Sequence, residues 1–292
     1  MNIRRFWPWY GLLALGLSVA LTFLIIGTPP KSAENVTVGA ALGGGDHAGY
    51  QRAHQTRPFH FPADHGPHPT FRNEWWYVTG NLADATGRQF GYQLTLFRIA
   101  LSPDQPATDS AWRTNQIYMG HFALTDVNGE KHHGFERFSR GALGLAGAQA
   151  TPFRVWLEDW ELSGTAADAV PMRLRARDGG IALDLTLQAG KPVVLQGDRG
   201  LSQKSAEPGN ASYYYSHTRL PTQGMVDLNG QTFTVQGSSW LDREWSTSAL
   251  GPEQSGWDWF ALQLDDGRDW MFYRLRHKNG GMDTFSKGVL VG

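Results

Sequence analysis

Six short polar stretches punctuate the chain: "DATGR" at 84–88, "DVNGE" at 126–130, "RDGG" at 177–180, "LNGQ" at 228–231, "DDGR" at 265–268 and "KNGG" at 278–281. Asn-Gly, Asp-Gly and Gly-Gly pairs recur in them and supply the positive φ angles of tight hairpin turns. Between them lie segments of strand length and β-rich composition, among them "NEWWYVTGNL", "FGYQLTLFRIAL", "IYMGHFALTD", "IALDLTL", "TFTVQGSSW", "WDWFALQL" and "DWMFYRLRH". Punctuation of this kind predicts an antiparallel meander, and evenly spaced hairpins close into up-and-down barrels that leave few edges. In "GIALDLTLQ" the side chains of Ile181, Leu183, Leu185 and Leu187 share one face, while Asp184 and Thr186 take the other. "FGYQLTLFRIAL" is apolar on both faces, as in a strand covered on both sides or one lining a ligand-filled barrel. Strand is expected to dominate from Trp75 to His277, with no helix longer than about three turns.

Composition narrows the function classes. A net charge of −1 and the lack of any basic block give no electrostatic footprint for nucleic acid. With no cysteine there is no disulfide scaffold, thiolate nucleophile or lipid-anchored N-terminal cysteine. Twelve tryptophans favour apolar pockets and interfaces.

The N-terminus reads as a targeting segment. Arg4 and Arg5 precede an uncharged run over residues 6–30, long enough to cross a bilayer core of about 30 Å as a helix. Residues 1–30 are therefore expected to be a signal anchor or a signal peptide, with Phe6, Trp7, Trp9 and Tyr10 at the headgroups. Val38 and Ala40 mark the alternative, a cleavage site. Positive charge on the leading side places the body in the periplasm, anchored to the bacterial inner membrane or secreted after cleavage. Residues 31–57, with "GAALGGGDHAG", read as a flexible linker.

Four segments carry a family resemblance: "FPADHGPHPTFRNEWWYVTGNL" (61–82), "ALTDVNGEKHHGFERFSRGALGLAGAQATPFRVWLEDW", "YYYSHTRL" and "GSSWLDREWS". In this order they resemble the AttH and carotenoid 1,2-hydratase family. The resemblance implies an all-β chain of two tandem lipocalin-like antiparallel barrels: a first over residues 58–240, and the start of a second, incomplete here, over 241–292. It also implies action on a hydrophobic, isoprenoid- or polyketide-like ligand, without an organic cofactor. Many bacterial relatives are labelled secreted hydrolases. This sequence has no Gly-x-Ser-x-Gly elbow and no His-Glu-x-x-His to support that label. Fold kinship alone leaves two classes of function open: an acid-catalysed hydratase or isomerase of a C=C bond, or a non-catalytic carrier or accessory of an ABC-type export system.

Hydration of an isolated alkene begins with protonation to a tertiary cation. A carboxylic acid can do this when burial keeps it protonated and aromatic faces stabilise the cation. "SSWLDREWST" offers Asp242 as the acid between Trp240 and Trp245, with Arg243 and Glu244 as a supporting ion pair. The resemblance matches Trp240 and Asp242 to an aromatic two residues before an Asp in the hydratases. Arg243 and Glu244 depart from the His and Asn found there. Either Asp242 faces an apolar cavity among Trp240, Trp245 and Tyr215, or Arg243 consumes it in a salt-bridged elbow. We expect Arg243 to pair with Glu74 or Glu244, leaving Asp242 free; Arg72 is the other candidate partner of Glu74.

Alternation sends Trp75 and Tyr77 to one face of their strand and Trp76 to the other, one face core and the other a ligand wall, so these three, with Tyr213, Trp240 and Trp245, are the candidate ligand-binding aromatics. Tyr213, Tyr215 and His217 share a face of "YYYSH", where Tyr215 and His217 could orient water and Tyr213 could stack on a polyene. His60, His65 and His68 with Asp64 lack the spacing of a metal site and read as part of a rigid lead-in strand. His121 reads as a satisfied barrel residue.

Overall fold

The computed structural model describes residues 47–248 and 250–292, so the expected N-terminal helix and most of the expected linker lie outside the described residues. Sixteen strands follow one another: β1 (Asn73–Asp84), β2 (Gln89–Ala100), β3 (Gln116–Asp126), β4 (Lys131–Arg140), β5 (Ala146–Gln149), β6 (Arg154–Leu157), β7 (Trp160–Gly164), β8 (Met172–Asp178) and β9 (Ile181–Leu187), then β10 (Val194–Leu195), β11 (Leu201–Gln203), β12 (Ala211–Leu228), β13 (Gln231–Ser246), β14 (Gln254–Gln263), β15 (Asp269–His277) and β16 (Lys287–Val291). All six punctuating stretches fall where the chain reverses between strands. Gly87, Gly180, Gly230, Gly267 and Gly280 hold positive φ in them; in "DVNGE" the strained position is Glu130 instead.

Thirteen strands form one antiparallel sheet in the order β4-β3-β2-β1-β13-β12-β9-β8-β7-β6-β5, with β10 and β11 added beside β12. It curls until its two ends nearly meet. Arg137 of β4 donates from Nε to Asp178 Oδ2 at 3.0 Å and from Nη2 to the Arg177 carbonyl at 2.8 Å. Phe122 of β3 meets Trp160 of β7 edge-on at 5.7 Å. A Cβ on Gly120 would stand 2.7 Å from Leu157 Cδ2, so a glycine permits this approach of β3 to β6. Inside lies the main core, with Leu94, Leu96, Phe122, Leu124, Leu174 and Leu185. Ile181, Leu183, Leu185 and Leu187 all point into it, as their alternation predicts.

The other strands make a three-stranded sheet, β14-β15-β16. Its inner face, with Trp257, Trp259, Met271, Tyr273 and Leu275, packs on Tyr214 and Trp240 from the outside of the large sheet. The boundary expected between residues 240 and 241 falls within β13, which runs through it without a break. The segment before β1 departs from expectation. In place of a lead-in strand there is a short 3-10 turn, Ala63–His65, with Asp64 and His65 buried. Its carbonyls bind the barrel: Trp76 Nε1 donates to the His65 oxygen at 2.8 Å and Arg243 to that of Gly66 at 2.6 Å.

Candidate active site

Strands β12 and β13 pair with Tyr213 opposite Trp245, Tyr215 opposite Arg243 and Ser216 opposite Asp242. Successive residues therefore project to opposite faces of the sheet. Arg243, Trp245, Tyr213, Tyr215 and His217 go inside the barrel, while Trp240, Asp242, Glu244, Tyr214 and Ser216 go outside, toward the three-stranded sheet. The expected cluster of Asp242 with Trp245, Tyr215 and His217 does not form, because these residues lie on opposite faces. One strand thus carries two buried polar centres.

The inner centre is built on charge. Glu74 on β1 is wholly buried and bonded by both Arg98 of β2 and Arg243. It also accepts the His68 N–H at 3.0 Å. Burial would raise its pKa, but the two guanidinium charges and the His68 bonds outweigh that and hold the carboxyl below its usual range. Arg72 takes no part in these pairs. Arg243 lies over the Trp76 ring at 4.0 Å and near Trp245 at 5.1 Å. His68 stacks flat on Trp245 at 3.8 Å and reaches Asp64 at 3.1 Å. His65 Nδ1 meets the Tyr215 hydroxyl at 2.5 Å. Burial first, then the charges of His217 and Arg243, push His65 down to about 3, and burial takes His217 to about 4. Tyr213 packs against Trp245 at 5.8 Å and donates to the Gln55 carbonyl. These residues close one end of the barrel as a polar floor.

The outer centre has no counter-charge at its heart. Asp242 is 4% exposed and forms no ion pair among the described residues. It accepts three bonds from neutral donors: Tyr214 Oη to Oδ2 at 2.8 Å, and Ser216 Oγ at 2.5 Å and Trp240 Nε1 at 2.7 Å to Oδ1. Burial dominates those bonds, and with the nearby Glu244 charge pushes the carboxyl up to about 7. It is a carboxylic acid poised to give up or take a proton near neutrality. Trp259 Nε1 donates to Tyr214 Oη at 3.2 Å, and its ring meets Trp240 edge-on at 6.0 Å and Tyr77 at 5.1 Å. Tyr77 stands opposite Asp242 in the β1–β13 register. Burial pushes its phenol up to about 12.

Of the proposed binding aromatics, Tyr77 and Trp240 thus join Asp242, and Trp76, Tyr213 and Trp245 belong to the floor. Trp75 lies on the outer face, opposite Glu244 in the β1–β13 register and against Phe97 at 6.2 Å. Glu244 pairs with Lys204 at 2.9 Å and accepts a bond from Ser212, while Arg243 reaches only its backbone oxygen. His121, half-buried on the outside of β3, pairs with Glu136 at 3.0 Å. Sequence reasoning passed over Tyr214, Ser216, Trp259, Lys204 and Arg98. Tyr214 and Ser216 could have been found by alternation, since the middle residue of "YYY" must face away from its neighbours. Nothing local marks the other three.

A family model described as AttH-like matches residues 52–292. A crystal structure from Nitrosomonas europaea, provisionally assigned to AttH, is 32% identical with a TM-score of 0.70, over 82% of this chain and 74% of that one. The chain belongs to the AttH-like family. Kievitone hydratase from Nectria haematococca is 11% identical, with a TM-score of 0.56 over 83% of this chain and 72% of that one; this likeness is one of fold. No curated protein matches the sequence.

Proposed function

We propose that the protein is a hydratase-type enzyme that adds water across, or isomerises, a C=C bond of a hydrophobic ligand, with Asp242 as the acid. The observation that carries this reading is a buried carboxyl without a counter-ion, held near neutrality inside an aromatic wall of Trp240, Tyr214, Trp259 and Tyr77. In hydration, the Asp242 O–H proton passes to the less substituted alkene carbon and the π pair forms the new C–H bond. The tertiary cation left behind is stabilised by the aromatic faces. Water then forms the C–O bond, and its surplus proton returns to the Asp242 carboxylate. In isomerisation the cation loses a different carbon-bound proton to the same carboxylate.

The test is incubation of the full chain in D2O with an acyclic polyene ending in a trisubstituted C=C. The expected product is a tertiary alcohol, or a shifted alkene, with one carbon-bound deuterium. Asp242→Asn should lower turnover by about 10²–10⁴-fold, the usual range for a general acid, while ligand quenching of tryptophan fluorescence persists. Quenching without product in the wild type, together with loss of stability in Asp242→Asn, would make Asp242 a brace and the protein a carrier.

A further inference from the structure

Beside Asp242 lies a second buried pair that the acid chemistry does not itself use. Lys204 follows β11, and its ammonium is held 2.9 Å from Glu244 Oε1, with side chains only 10% and 7% exposed. Glu244 sits two residues along β13 from Asp242 and so on the same face. The register pairs it with Tyr214, the residue that bonds Asp242 Oδ2. The Lys204 ammonium lies 5.5 Å from the centre of that Tyr214 ring and 4.4 Å from the Tyr273 ring. The Lys204 backbone is anchored on both sides: its N–H donates to the Asn210 oxygen at 2.9 Å, and its oxygen accepts from Gln254 Nε2 at 2.7 Å.

A buried ion pair is an expensive way to fill space, since apolar side chains of equal volume often do as well or better. Its presence here gives the site something apolar packing cannot: a negative charge two residues along β13 from Asp242 on the same face, with a positive charge held 2.9 Å from that second carboxylate. We propose that Lys204 and Glu244 are positioning residues that set the protonation state of Asp242, Glu244 favouring its neutral acid form and Lys204 limiting how far that bias goes. Tyr77 from β1 and Tyr214 from β12, both phenols, also face Asp242, and farther along the same face Asp269 of β15 is bonded to Thr218 and paired with Arg219 and Lys191. Lys204 also fixes the Tyr214 ring from one side, and with it the hydroxyl that aims at Asp242. Two carboxyls share one face, one ion-paired and one bonded only by neutral donors, and unlike environments of this kind give two carboxyls different roles.

This inference rests on Asp242 being the acid, but its test does not need turnover. The Asp242 titration is followed in the full chain by the infrared carbonyl stretch of its protonated carboxyl, assigned by its loss in Asp242→Asn. Glu244→Gln should lower the midpoint by about one pH unit or more, the usual effect of a neighbouring charge. Lys204→Met should raise it. Lys204→Arg and the double variant Lys204→Met/Glu244→Gln should stay near the wild type. If Lys204→Met does not fold, Glu244→Gln and the double variant decide the matter. A structural role predicts something different: loosening admits water and moves every variant downward together. That result, or unmoved midpoints, would overturn the proposal. Midpoints that move as stated without any alkene turnover would leave the charge control standing and remove the enzyme reading.

Discussion

Residues 242 and 243 are neighbours on β13, yet burial has opposite consequences for the acids beside them. On the inner face, Glu74 is surrounded by Arg98 and Arg243 and is kept ionised. On the outer face, Asp242 is surrounded by two hydroxyls and an indole and is kept near neutrality. Both carboxyls are nearly inaccessible. The difference shows that burial alone does not decide the state of a buried acid; the charge of its partners does. A guanidinium compensates the lost hydration of a carboxylate, whereas neutral donors compensate only part of it.

The largest effect should come from breaking the inner centre. Arg243→Met leaves Glu74 short of one guanidinium and removes the Gly66 anchor, at a cost of about 3–5 kcal/mol. Urea titration checks this, and a loss below about 1 kcal/mol would mean that Arg98 alone suffices.

The next effect is opposed pH dependence. Folded Asp242 stays protonated up to about 7, against 3.8 in the unfolded chain. Its contribution to stability is therefore complete below the lower value and lost as pH rises through the upper one. The floor behaves in reverse. His217 and His65 have folded values near 4 and 3, below 6.5 unfolded, so their contribution is complete above 6.5 and is lost as pH falls through the folded values. Asp64 adds to that acid limb, its loss running from 3.8 down to about 2. Asp242→Asn should remove the fall in stability between about pH 4 and about pH 7, at most about 4 kcal/mol at 1.36 kcal/mol per unit. His217→Phe should flatten the acid limb alone. Denaturation midpoints measured across this range separate the two, and an Asp242→Asn curve parallel to the wild type would contradict the assignment.

The smallest effect sharpens the outer centre. Tyr214→Phe removes one of the three bonds to Asp242, each of which lowers its pKa. Its midpoint should rise by less than about one pH unit, in line with about 1 kcal/mol for a single hydrogen bond. The same infrared titration reads it, and a fall would mean that water has replaced the hydroxyl.

The strands were legible in the sequence because a turn is local chemistry. Asn229 and Gly230 adopt positive φ whatever lies beyond them, and alternation in Ile181–Leu187 needs only neighbouring residues. The pairing of Arg243 with Glu74 was also within reach, since a buried guanidinium requires an acid and few were on offer. The membership of the two centres was not. "WLDREW" lists Asp242, Arg243 and Trp245 together, but the pleat sends the first to one side of the sheet and the other two to the other. His65 comes from a segment that looked like a plain lead-in, and it is buried because the barrel end needs a cover for Trp76 and Tyr215. Trp259 and Tyr273 come to this face only because a second sheet packs over β12 and β13, and Lys204 meets Glu244 from the segment after β11, itself laid beside β12. Short-range backbone preference and period thus fixed where the chain extends and turns. Which charges meet across the sheet, and so which acid keeps its proton, was decided by contacts between residues distant in the chain.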